Sequence, residues 1–123
     1  MARILVVDDS EPTRKLLKAM LEKAGFEVLV GSGKEEGFKL YEENDIDLVI
    51  TDIMMPNIEG IELIMQIRSK VNDAKIIAMS ANKEHLTAAR NIGAKLTLAK
   101  PFNHVQVMNR VNKALGLENK ENS

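Results

Sequence analysis

Four short stretches of the chain are almost continuously apolar: Ile4 to Val7, Leu48 to Ile50, Ile76 to Met79 and Leu96 to Ala99. Runs this short, rich in Val, Ile and Leu and free of polar alternation, suit β-strands buried on both faces. Phe26 to Val30 alternates less cleanly and reads as a further strand. Between these runs apolar residues recur at helical spacing. Leu16, Leu17, Met20, Leu21 and Ala24 form one stripe, Leu63, Ile64, Ile67 and Val71 a second, and Val107, Met108, Val111, Ala114 and Leu115 a third. Two weaker helices are expected, from about Lys34 to Glu43, with only Phe38, Leu40 and Tyr41 to bury, and around Lys83 to Asn91. Ser32 with Glu35, and Asn103 with Gln106, have the spacing of capping boxes at helix starts. Gly25, Gly93 and Gly116 stand where helices should stop.

Strand and helix thus alternate five times, with no repeat and no low-complexity linker. That alternation predicts an α/β fold of parallel strands joined by right-handed crossovers, with helices on both faces of the sheet. A domain over residues 1–117 and a polar C-terminal tail over 118–123 are expected. At 123 residues the chain is long enough to bury a core without staples. Its formal net charge of −1 calls for neither nucleic acid nor an anionic membrane. The absence of cysteine removes disulfides, thiol catalysis and cysteine-bound zinc. No apolar run approaches membrane-spanning length and none has a signal-peptide layout, so a cytoplasmic protein is expected.

In an open sheet of this kind ligands bind beyond the carboxyl ends of the strands. The first strand is followed by Asp8-Asp9-Ser10 and the third by Thr51-Asp52. The fourth ends at Ser80-Ala81-Asn82 and the fifth at Lys100-Pro101. Three carboxylates, a hydroxyl and an ammonium are therefore expected at one end of the sheet. Carboxylates this close repel one another. A hard divalent cation relieves the repulsion: Mg²⁺ takes oxygen ligands, and it commonly binds through one or two carboxylates plus a phosphate oxygen. Three aspartates, one Mg²⁺ and Lys100 sum to zero charge. Asp52 is the candidate nucleophile, since a carboxylate can form an acyl phosphate. Lys100, Ser80 and a nearby backbone N–H would meet the remaining phosphoryl oxygens.

Each residue alone has a commoner role. Paired aspartates after a strand can cap the next helix, and Asp near Pro often only makes a turn. Ser80 could be a strand-end hydroxyl, and Lys100 a solvated loop lysine. The joint placement favours chemistry. His85 and His104 read as exposed residues at helix starts, and the seven methionines as core filler. Gly31, Gly33 and Gly37 do not follow a strand in the dinucleotide-binding pattern.

Val6-Val7-Asp8-Asp9-Ser10, Asp52-Ile53-Met54-Met55-Pro56 with Gly60, Ser80-Ala81 and Lys100-Pro101-Phe102 occur in that order, each group at a strand end. Together they resemble the receiver domain of two-component response regulators, close to the stand-alone chemotaxis-regulator type, over residues 2–116. The resemblance implies a five-stranded parallel, doubly wound, flavodoxin-like sheet in order 2-1-3-4-5 with five helices. It implies Asp52 as phosphoacceptor, and Asp8, Asp9, Asp52 and the Met54 backbone carbonyl around Mg²⁺. Lys100 resembles the family's lysine, and Ser80 the hydroxyl that moves toward the phosphoryl group. The donor would be a phosphohistidine on a sensor histidine kinase or a histidine phosphotransfer protein. The chain would not be an enzyme beyond catalysing its own phosphorylation and dephosphorylation.

Two positions depart from the common pattern. Many receivers carry Tyr or Phe as a switch residue three positions before the lysine. Here that switch position is Thr97, which excludes a large aromatic rotation and leaves output to the Ser80 shift. Met54 and Asn82 occupy the two variable positions expected to set phosphoryl lifetime, and apolar Met54 is expected to shield the acyl phosphate from water. Two other classes compete with this reading. Haloacid-dehalogenase-like phosphatases also use a strand-end Asp, but they carry a second Asp two residues later, where this chain has Met54. A pseudo-receiver would bind partners without ever taking phosphate. With the sequence ending at Ser123, output is expected as altered binding to a downstream protein, without nucleic acid or membrane insertion.

Overall fold

The computed structural model describes residues 1–117, so the polar tail expected over 118–123 lies outside the described residues. In chain order the elements are β1 (Arg3–Val7), α1 (Glu11–Lys23), β2 (Glu27–Gly31), α2 (Lys34–Glu43) and β3 (Leu48–Asp52), followed by α3 (Glu59–Lys70), β4 (Ile76–Ser80), α4 (Lys83–Ile92), β5 (Leu96–Ala99) and α5 (His104–Leu115). The five strands form one sheet in order β2-β1-β3-β4-β5, and every pairing is parallel. Fold class and strand order are as expected.

The uninterrupted apolar runs are explained by two cores, one on each face of the sheet. Leu5, Val7, Val49, Ile76 and Ala78 point one way, against Leu63, Ile64 and Ile67 of α3 and Leu86 and Ala89 of α4. Ile4, Val6, Leu48, Ile50, Ile77 and Met79 point the other way, against Leu17 and Leu21 of α1 and Val107 and Val111 of α5. Successive side chains of a central strand alternate between the two cores, so polar alternation is absent. Each large aliphatic side chain buried this way contributes about 1.5–3 kcal/mol.

β5 departs from the sequence expectation. It is an edge strand, with Leu98 fully buried, Leu96 and Thr97 partly so and Ala99 exposed. Among the described residues no strand pairs with its outer edge. The stripes are also narrower than read: Leu16 is 54% exposed and Val71 37%, because α1 presents Leu17, Leu21 and part of Met20 to the sheet and α3 ends at Lys70. The α5 capping box forms as expected, Asn103 and Gln106 each bonding the other's backbone. At α2 the start lies one residue later than read. Gly33 is the N-cap, so Glu36 rather than Glu35 stands at the third helical position and its Oε1 accepts from Ser32 N at 2.7 Å. Gly25, Gly93 and Gly116 all have positive φ and end α1, α4 and α5. Among the described residues no helix is long and apolar enough to cross a membrane.

Candidate functional site

Backbone pairing continues past the carboxyl ends of the strands and carries the polar residues with it. Asp8 N donates to Gly31 O at 3.1 Å, extending β1 along β2. Asp52 is the last residue of β3, in register with Met79 of β4. Lys100 N donates to Ser80 O at 2.9 Å, which fixes the end of β5 against the end of β4. The Lys100–Pro101 peptide bond is cis. Asp8, Asp52 and Ser80 are buried and Asp9 is exposed.

Asp8, Asp9 and Asp52 each offer a carboxylate oxygen within 4.8 Å of the others. Lys100 Nζ reaches two of them, Asp8 Oδ2 at 2.9 Å and Asp52 Oδ1 at 3.1 Å. The remaining Asp8 oxygen accepts from Ser10 N at 2.9 Å, and its backbone carbonyl accepts from Arg14 Nη1 at 2.7 Å. The capping alternative for the aspartates is answered by Ser10, whose hydroxyl caps α1 by accepting from Thr13 N. The acidic pair is left outside that role.

Burial pushes the Asp52 carboxyl above its ordinary value, and the charges of Asp8 and Asp9 push the same way, while the bond and charge of Lys100 offset part of the rise. Burial would lower the Lys100 ammonium, but its bonds to Asp8 and Asp52 and their charges prevail and raise it. Lys100 forms ion pairs with Asp8 and Asp52 of the three aspartates. One ammonium against three carboxylates leaves excess negative charge on an all-oxygen donor set. The chemistry of that set fits a hard divalent cation such as Mg²⁺.

A cleft of about 670 Å³ opens beside Asp52 and is lined by Met54, Ser80, Asn82, His85 and Lys100 among others. Met54 is 42% exposed at its rim. The Ser80 hydroxyl accepts from Asn82 N at 3.0 Å. Asn82 in turn caps α4, its Oδ1 accepting from Glu84 N at 2.8 Å and His85 N at 3.3 Å. Thr97 lies on β5 with its carbonyl accepting from Arg110 Nε at 3.0 Å, and Phe102 packs against the α1/α5 core. Gly60 presses on the β3 end: a Cβ there would lie 2.0 Å from the Asp52 carbonyl oxygen and 2.5 Å from Ile53 Cα.

Asp8, Asp9, Asp52, Ser80 and Lys100, read separately from the sequence, therefore meet at one place. His104 is exposed as expected, but His85 is not. It is half-buried, with Nδ1 closed off from solvent, because α4 turns that residue toward the cleft. Its position three residues after Asn82 was the available signal. Arg14 left none, since its partner is a backbone carbonyl.

The family model of the response regulator receiver domain matches residues 4–112. The chain is 36% identical to the chemotaxis protein CheY of Bacillus subtilis over 116 residues, covering 92% of this chain and 97% of that protein. It is 35% identical to the alkaline phosphatase synthesis transcriptional regulatory protein PhoP of the same organism, covering 89% of this chain but only 46% of that protein. The chain thus spans about half of PhoP, and 14% of the sensory/regulatory protein RpfC of Xanthomonas campestris. Among solved structures, the response regulator TrrA of Thermotoga maritima in complex with Mg(2+)-BeF superposes with TM-score 0.86 at 39% identity, covering 94% of this chain and all of that one. A receiver domain from Clostridium thermocellum gives 0.88 at 31% identity, covering 94% and 95%.

Proposed function

The chain belongs to the response regulator receiver domain family of two-component phosphorelay signalling, and from that premise we propose that Asp52 accepts a phosphoryl group from a phosphohistidine donor and that the modified protein binds a downstream protein differently. One observation carries the reading: Lys100 Nζ bridges Asp8 and Asp52 at 2.9 and 3.1 Å, beside the exposed carboxylate of Asp9.

Asp8, Asp9, Asp52 and the Met54 backbone carbonyl would hold Mg²⁺, which when bound supplies neutralisation of charge on the phosphoryl oxygens. The complex of TrrA with Mg(2+)-BeF supports the assignment. An Asp52 carboxylate oxygen attacks phosphorus, the bond from phosphorus to the donor imidazole nitrogen breaks, and that nitrogen keeps the electron pair. Lys100 exchanges its carboxylate contact for a phosphoryl oxygen, and Ser80 Oγ turns from Asn82 N to another. The loop from Ala81 and helix α4 then repack, biasing a two-state equilibrium on the face of β4, β5, α4 and α5. The sensor kinase or phosphotransfer protein meets the unmodified Asp52, and the downstream target is recognised through the face that its modification changes. Thr97 is too small for an aromatic switch, so Ser80 carries the change.

Incubation with Mg²⁺ and acetyl phosphate separates this reading from its rivals. The expected result is one phosphoryl group per chain, lost slowly after donor removal and absent from Asp52→Ala. Continuous phosphate release would indicate a phosphatase, and no modification a pseudo-receiver.

A further inference from the structure

His85 occupies the third helical position of α4, three residues after the N-cap Asn82. Its Nδ1 is closed off from solvent and has no hydrogen-bond partner. Buried polar groups left unpaired are costly and uncommon. In a capping box, the side chain at this helical position accepts from the backbone N–H of the N-cap. The chain completes such a box at α5, where Gln106 Oε1 accepts from Asn103 N at 2.9 Å and Asn103 Oδ1 accepts from Gln106 N at 2.9 Å. At α4 only one half is made: Asn82 Oδ1 accepts from His85 N, while Asn82 N donates to Ser80 Oγ at 3.0 Å. The group that would complete the α4 box is the unpartnered imidazole, and the donor it lacks is held by Ser80.

We infer that His85 is a positioning residue that takes the Asn82 N–H when Ser80 Oγ lets it go, an inference that rests on the proposed turn of Ser80 toward a phosphoryl group on Asp52. The exchange moves no proton. Nδ1 accepts as the neutral tautomer that carries its hydrogen on Nε2. Without an incoming acceptor, departure of Ser80 Oγ would strand a backbone N–H at the start of α4, and that penalty would oppose the switch. With His85 in place the N–H is paired in both states, and α4 gains a complete capping box in the modified one. The residue thereby couples the Ser80 hydroxyl to the helix that begins the repacking.

The test is amide hydrogen exchange at Asn82, read by NMR, in the free protein and in the presence of Mg²⁺ and beryllium fluoride. Labelling at Asp52 by acetyl phosphate is followed in parallel. In the wild type the amide should stay protected in both forms. In His85→Ala its exchange should be unchanged in the free form and faster by roughly fivefold with Mg²⁺ and beryllium fluoride. His85→Gln, which restores the acceptor found at α5, should return it to wild-type protection. Exposure of the amide in the wild type with beryllium fluoride, or equal protection in His85→Ala, would overturn the exchange while labelling of Asp52 stands. Failure of Asp52 to label would overturn the functional reading itself, and the exchange with it.

Discussion

Asp52 is held in the folded protein at a cost. Its carboxyl lies above the ordinary 3.8 because burial penalises the charge. The folded state therefore holds that proton more tightly than the unfolded chain, so stability falls as pH rises from the ordinary value through the raised one. Lys100 titrates far above this window. Its stabilising contribution is present below its ordinary 10.5 and is lost only as pH climbs through its raised value. In metal-free protein at neutral pH, Asp52→Asn should unfold at higher temperature than wild type. The gap should shrink toward about pH 4, where the unfolded carboxylate also protonates. Thermal melts in chelator at the two pH values check this, and an Asn variant less stable than wild type at neutral pH would contradict it. Gly60 gives a second test. An added methyl group would collide with the Asp52 carbonyl and Ile53 backbone, so Gly60→Ala should cost about 3 kcal/mol or more in urea unfolding and impair Asp52 labelling. Met54 stands at the cleft rim, and Met54→Asn should shorten the lifetime of the acyl phosphate. Decay followed after donor removal decides that, and an unchanged or slower rate would remove the shielding role.

At the scale of elements, the central strands were the most legible. Ile4 to Val7, Leu48 to Ile50 and Ile76 to Met79 are apolar without alternation because each strand lies between two cores. β5 reads the same in sequence yet sits at an edge, a distinction set by strand order rather than by its own four residues. Capping signals were read where side-chain spacing alone decides, as with Asn103 and Gln106. They slipped at α2, where the extended backbone of Gly33 moves the start by one residue and brings Glu36 into use. Asn103→Ala should lose about 1 kcal/mol of stability with no effect on Asp52 labelling, because the Asn103 side chain bonds Gln106 N and does not line the cleft beside Asp52. Equilibrium unfolding together with labelling measures both. The α4 start behaves differently, since its cap residue Asn82 also bonds the Ser80 hydroxyl.

Across the whole molecule, the sheet acts as a jig that brings residues 8, 9, 52, 80 and 100 together from four strand ends. That convergence was legible because each polar residue directly follows an apolar run, and parallel strands place all such ends on one side. What escaped the sequence was which partner each group takes: Arg14 on the Asp8 carbonyl, Ser10 rather than an aspartate on the α1 cap, and His85 turned toward the cleft. These depend on rotamers and helix rotation that periodicity does not encode. The excess negative charge of the cluster should make folding stability respond to metal. Mg²⁺ at ten times its Kd should add about 1.4 kcal/mol to the wild type and little to Asp9→Asn.

The most direct measurement is peptide mass mapping after exposure to acetyl phosphate, with Mg²⁺ and with a chelator in its place. Carboxylates gathered at the strand ends and primed by a divalent ion should yield a phosphoryl group on Asp52 with Mg²⁺ and almost none with chelator. Modification at another residue, or labelling of Asp52 that ignores the metal, would contradict the central claim.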